Sequence, residues 1–233
     1  MRSTPIRLAP LLAMALAAHA SSQATFVDVA EAAGVDTLNL GRGATWADFD
    51  QDGLLDLVLA SGVGTLGGLN SVFRQLPDHT FVETSAAWGF AEDHLDTFST
   101  MAADLDNDGD RDLYYGNGGF FEEQANQVLR NDLNTLGVFT DVSAASGDGA
   151  VENINFGLAG LDYDLDGDID IFAASNSRLS AQACVFLRNE GGLVFTDVSA
   201  AAGIDSLLAK WRHCGAADFD LDGYTDVGVG SFD

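Results

Sequence analysis

Four stretches of the chain decide its fold: 48-DFDQDGLLDLVLA-60, 104-DLDNDGDRDLYYG-116, 162-DYDLDGDIDIFAA-174 and 218-DFDLDGYTDVGVG-230. They align without gaps at spacings of 56, 58 and 56 residues. A second element keeps the same period: FVDVAEAAG from Phe26, FVETSAAWG from Phe81, FTDVSAASG from Phe139 and FTDVSAAAG from Phe195. A shared period of this length marks a repeat architecture, in which each unit buries its apolar face against the next.

Within each repeat the apolar pattern is that of short strands. Leu57–Ala60, Leu113–Tyr115, Ile171–Ala173 and Val227–Val229 follow the Asp-rich stretch, and further runs begin at Ser71, Gln127 and Cys184. The Phe-x-Asp/Glu element supplies another strand, and the residues entering each Asp-rich stretch, such as Ala44–Ala47, complete a set of four. Four-stranded antiparallel units repeated in this way predict an all-β chain built of β-propeller blades. The blades are expected at 42–84, 98–142 and 156–198, with 212–230 providing the first two strands of a fourth and 25–29 a lone outer strand. The propeller segment therefore runs over 25–233 and is an incomplete ring of three full blades and part of a fourth. A four-bladed ring closed by the strand at residue 26 is the competing arrangement. The Ser-Ala-Ala-x-Gly motif is the one helical signal, with Ser as N-cap and Gly as stop.

Each Asp-rich stretch reads DxDxDGxxD, so carboxylates recur at positions 1, 3, 5 and 9 around a glycine that lets the chain double back. The acids are Asp48, Asp50, Asp52 and Asp56; Asp104, Asp106, Asp108 and Asp112; Asp162, Asp164, Asp166 and Asp170; and Asp218, Asp220, Asp222 and Asp226. Position 7 varies among Leu54, Asp110, Asp168 and Tyr224, as it can where only a backbone carbonyl is a ligand. Position 2 is always apolar, which predicts an anchor into the core. Carboxylates brought this close repel unless a cation neutralises them. Oxygen donors without histidine or thiolate favour calcium, so up to four Ca2+ ions are expected. The pattern is not an EF-hand, because position 12 holds Leu59, Tyr115, Ala173 or Val229 in place of the bidentate glutamate, and no helical pattern flanks the loops.

With these residues the chain resembles the FG-GAP/VCBS repeat family, which includes integrin alpha-subunit propellers and bacterial relatives. The FTDVSAAAG element and the Val-Phe-Leu-Arg-Asn run at 185–189 further resemble the variant in proteins similar to cartilage acidic protein. The resemblance implies a seven-bladed propeller with calcium in loops on one face. It also implies binding of protein or carbohydrate, with an enzyme domain elsewhere in some members. The Gly-Ala-Pro element of the family name is absent, which argues against integrin-like ligand recognition.

Composition narrows the partners. Against 36 acids there are only 10 bases, a net charge of −26. Nucleic acid is disfavoured, because phosphate binding requires a basic face. At the N-terminus, Arg2 and Arg7 precede the short apolar run Leu8–Ala18, and Ala18-His19-Ala20 is a small-x-small site. Residues 1–20 therefore read as a signal peptide, too short to span a bilayer, which predicts a secreted, periplasmic or cell-surface protein without membrane insertion. Cys184 and Cys214 are compatible with one disulfide or with two separate buried thiols.

No acid, base and nucleophile constellation is present, so the chain is not expected to be an enzyme. His79, His94 and His213 fall in no recurring motif, and Glu122-Glu123 reads as a solvated pair. Trp46, Trp88 and Trp211 suit either a sugar-binding surface or the core. The expected role is a calcium-braced binding or scaffolding module for an unknown protein or carbohydrate. The alternative is an accessory propeller of a larger secreted enzyme whose catalytic domain lies beyond this chain.

Overall fold

The computed structural model describes residues 26–36, 41–62, 69–90, 95–118, 124–147, 152–153, 155–175 and 183–231. The signal-peptide segment and Glu122-Glu123 lie outside them.

Three four-stranded antiparallel sheets follow one another along the chain. The first joins β1 (Gly41–Ala47), β2 (Asp56–Ser61), β3 (Ser71–Gln75) and β4 (Phe81–Glu83) in sequence order. The second repeats that order with β5 (Thr97–Ala103) and β6 (Asp112–Asn117), then, after the two-residue β7 (Gln124–Ala125), β8 (Gln127–Asp132) and β9 (Val138–Asp141). Strand β7 pairs instead with β10 (Glu152–Asn153). The third sheet joins β11 (Asn155–Leu161), β12 (Asp170–Ser175), β13 (Val185–Asn189) and β14 (Phe195–Asp197). A two-stranded sheet of β15 (Trp211–Ala217) and β16 (Asp226–Ser231) comes last. The boundaries fall within a residue or so of the expected blades.

The middle strands are buried on both faces, as they must be if each sheet is sandwiched between neighbours. Every residue of β6 and of β12 is buried. Alternation along a strand sends successive side chains to opposite neighbours. Leu113 and Tyr115 pack with Phe49, Val58 and Val72 of the first sheet, whereas Tyr114 packs with Ile171, Ala173 and Val185 of the third. A third cluster joins Phe172 and Phe186 to Trp211, Val227 and Val229 of the two-stranded sheet. Face-to-face stacking of successive four-stranded sheets makes the chain an all-β propeller segment.

The innermost strands β1, β5, β11 and β15 stand side by side. Their approach is close: a Cβ on Gly157 would lie 3.1 Å from backbone atoms of Arg212, His213 and Cys214. On the same strands Arg42 lies over the Phe98 ring at 3.7 Å, Phe98 meets Phe156 at 4.2 Å between centroids, and Arg212 lies over Phe156 at 4.5 Å. At this end of the sheets, away from the Asp-rich stretches, a buried polar chain crosses the blades. Asn70 donates to Thr97, Thr97 to Asn117, and Asn155 to Asn126, whose side-chain oxygen also accepts the Asn117 amide.

Two expectations need correction. Residues 26–29 form no strand; they lead into the one-turn helix α1 (Ala30–Ala33), and Phe26 is fully exposed. Asp28 accepts the Ala30 amide at 3.0 Å, the turn that Asp141 and Asp197 also make. In the other repeats, however, this strand pairs with the third strand of its own sheet, and among the described residues no such strand precedes residue 26. The four-bladed closure by a strand at residue 26 falls with it. Second, serine is not the helix N-cap. In α2 (Ser143–Ser146) no side chain caps the N-terminus. Ser143 instead donates its hydroxyl to Asp141 and accepts the Val128 amide at 2.9 Å, pinning the outer turn to β8. Ser85 and Ser199 hold Val72 and Phe186 in the same way. The glycine stop does hold, at φ 83° in Gly147.

Trp88 is a core residue, Trp211 is partly buried against the last cluster, and Trp46 is exposed over Phe81. Cys184 and Cys214 are separate thiols within that cluster. Among the described residues no helix is long and apolar enough to cross a membrane.

Candidate metal centre

Each Asp-rich stretch is the hairpin connection between the first two strands of a sheet. The glycine at position 6 has φ between 89° and 99° in all four copies, as the doubling-back requires. Position 4 is also left-handed, at Gln51, Asn107, Leu165 and Leu221. Leucine rarely takes this conformation, so the sequence held no signal for it. The two left-handed residues turn successive amides inward, onto the position 1 carboxylate. Asp48, Asp162 and Asp218 each accept the amides of positions 5 and 6, at 2.9–3.1 Å.

Position 9 has a role the spacing alone did not reveal. Asp56, Asp112 and Asp170 are completely buried. In each, one oxygen accepts the amide of position 2 and the other accepts an amide of the third strand, from Gln75, Asn131 or Asn189. This carboxylate therefore staples the loop to its own sheet. A second staple runs between blades: Asn131 donates to the Phe49 carbonyl at 2.9 Å, and Asn189 to the Leu105 carbonyl at 2.7 Å. Phe49 and Leu105 are fully buried, as expected of anchors, whereas Tyr163 and Phe219 are exposed. The anchor is covered by the third and fourth strands of the following blade, and β15 and β16 are the only strands described after the third sheet.

Three carboxylates come together in every loop, with ligand oxygens within 4.8 Å of one another. They are Asp48, Asp50 and Asp56 in the first loop, Asp162, Asp164 and Asp170 in the third, and Asp218, Asp220 and Asp226 in the fourth. In the second they are Asp104, Asp106 and Asp108. The expected convergence of positions 1, 3, 5 and 9 is thus met by three acids at a time. In all four loops the position 5 carboxylate accepts the amide of position 7, at Leu54, Asp110, Asp168 and Tyr224. At position 7, Asp168 is turned towards Asn107 of the preceding loop, whereas Asp110 stays buried in its own loop.

The crowding is electrostatically costly. Burial, reinforced by Asp50 and Asp52, pushes the Asp56 carboxyl up to about 6. Burial, with Asp106 and Asp108, takes Asp112 up to about 7, and burial with Asp108, Asp112 and Asp106 does the same to Asp110. In the second loop one oxygen of Asp104 and one of Asp110 are buried with no hydrogen-bond partner. Orphaned acceptors among raised carboxylates are what a hard cation would satisfy, and the donor set of carboxylate oxygens fits one.

A model of the FG-GAP-like repeat matches residues 48–115 and 162–229, more than half of the chain. Cartilage acidic protein 1 of Mus musculus is 30% identical over 183 residues, covering 74% of this chain and 27% of that protein. The Homo sapiens protein of the same name is 29% identical, with 74% and 26% covered, and that of Xenopus tropicalis is 28% identical, with 72% and 26% covered. The chain thus spans roughly a quarter of the length of these curated relatives. Both matched segments run from an Asp loop through the sheets to the loop that follows and its second strand, and on that ground the chain belongs to the FG-GAP-like repeat family.

Proposed function

We propose that this chain is a secreted, calcium-binding propeller module that binds or scaffolds a protein or carbohydrate partner and performs no catalysis itself. The observation that carries the reading is the recurrence, in each of four equivalent loops, of three carboxylates whose oxygens lie within 4.8 Å. All four loops join a first strand to a second, so they emerge at one end of the sheets. A divalent cation there screens the mutual repulsion of the acids, and the loops become a rigid rim on which a partner can dock. The family and the similarity to cartilage acidic protein 1 support a binding module over an enzyme.

The test is a thermal melt of the chain with calcium and with chelator. A ligand specific to the native state stabilises it by about 2.7 kcal/mol per site at one hundred times Kd, so a rise of many degrees in Tm is expected with calcium. Coincident melting curves would remove calcium from the account.

A further inference from the structure

The three complete blades present an arginine of the third strand at the same position, one residue beyond the Phe73, Leu129 and Leu187 that pair with the second strand. These residues, Arg74, Arg130 and Arg188, are not used alike. Arg130 makes three contacts of 3.0–3.2 Å to Asp132, two residues on. Arg188 holds Glu190, also two residues on, at 2.6 and 3.0 Å, and reaches its own loop only at 4.0 Å from Asp164. Residues i and i+2 of a strand share a face, so an acid there can retain the guanidinium. In the first blade that position is Leu76, which has no charge to offer. Arg74 accordingly swings into the loop, where its Nε pairs with Asp50 and its Nη2 lies 2.8 Å from Asp52.

We infer that Arg74 is a built-in counter-cation of the first loop and makes it the weakest calcium site of the three complete blades, while Asp132 and Glu190 keep the other two loops open to the metal. The inference rests on the calcium reading given above. Asp50 belongs to the convergent group of the first loop, so an arriving ion must either displace the guanidinium or settle beside a positive charge. In the second loop the geometry is the reverse: Arg130 is spoken for, and one oxygen each of Asp104 and Asp110 has no hydrogen-bond partner. The loops then fill in sequence as calcium rises, the second and third before the first.

Calcium titrations by calorimetry into the metal-free chain decide the matter, using the wild type, Arg74→Gln and Leu76→Glu. The second variant leaves the arginine in place and supplies the acid that the other blades have. Both variants are expected to tighten the weaker class of sites by about tenfold, the effect of taking one positive charge out of the loop, by deletion in the first variant and by pairing with Glu in the second. Adding Asp48→Asn to Arg74→Gln is expected to abolish that tightened class, which assigns it to the first loop. Unchanged affinities in both variants, or a tightening that survives Asp48→Asn, would overturn the role of Arg74 and leave calcium binding intact. A chain that takes up no calcium in any form would overturn both.

Discussion

The second and fourth loops carry the same nine-residue pattern and share two of its defining hydrogen bonds, yet they stand in different surroundings. Position 1 accepts the amide of the glycine in both, at 3.1 Å to Asp104 and 2.9 Å to Asp218, and position 9 accepts the amide of position 2 in both. But Asp112 and Leu105 are fully buried, whereas Asp226 is exposed and Phe219 is 66% exposed. Asp112 also accepts the Asn131 amide, and the Leu105 carbonyl is held by Asn189. The pattern thus builds the loop, and the neighbouring strands decide how firmly it is fixed.

The comparison can be broken most decisively at position 9. Asp112→Ala leaves two buried amides without an acceptor and is expected to cost about 4 kcal/mol in denaturant unfolding, against less than about 1 kcal/mol for Asp226→Ala. Equal costs would mean that the staple to the third strand adds nothing. Position 2 comes next. Leu105→Ala removes a fully buried side chain between two sheets and is expected to cost about 3 kcal/mol, whereas Phe219→Ala is expected to cost less than about 1 kcal/mol.

The smallest effect is kinetic and sharpens the contrast between the third sheet and the pair β15–β16. Burial pushes both the Cys184 and Cys214 thiols up to about 11. At pH 8 the thiolate is then on the order of one in a thousand of each thiol, so alkylation of the folded chain is slow and accelerates as pH rises towards 11. Cys184 lies within the third blade and Cys214 on the less covered pair, so Cys214 is expected to react several-fold faster, as mass spectrometry of timed samples would show. Loss of that order would place both cysteines in equally protected surroundings.

Much of this was readable along the chain. The Asp-rich motif, its glycine and its period gave the strand order of each blade and the hairpin position of the loops, because turn chemistry and alternation are local. Residues 26–29 show the limit of that local reading: FVDV looks like FTDV and Asp28 makes the same turn as Asp141 and Asp197, but a strand needs a partner, and among the described residues it has none. The buried Asn and Thr chain across the blades is only partly legible: Asn70 and Asn126 stand one repeat apart and each accept an equivalent amide, but Thr97 and Asn117 fall at repeat positions that hold other residue types in the neighbouring blades. Nor did the sequence distinguish Arg74 from Arg130, although Leu76 and Asp132 were there to be compared.

By itself the amino-acid sequence determined the repeat, the all-β blade, the acidic loops and the excess of negative charge, all of which follow from residue type at fixed spacing. Only the tertiary structure decided which three acids of each loop converge, that position 9 is a staple as well as a candidate ligand, and which arginine enters a loop. Those outcomes depend on what the next strand or the next blade places against the loop, and contacts across sheets are set by packing between residues tens of positions apart.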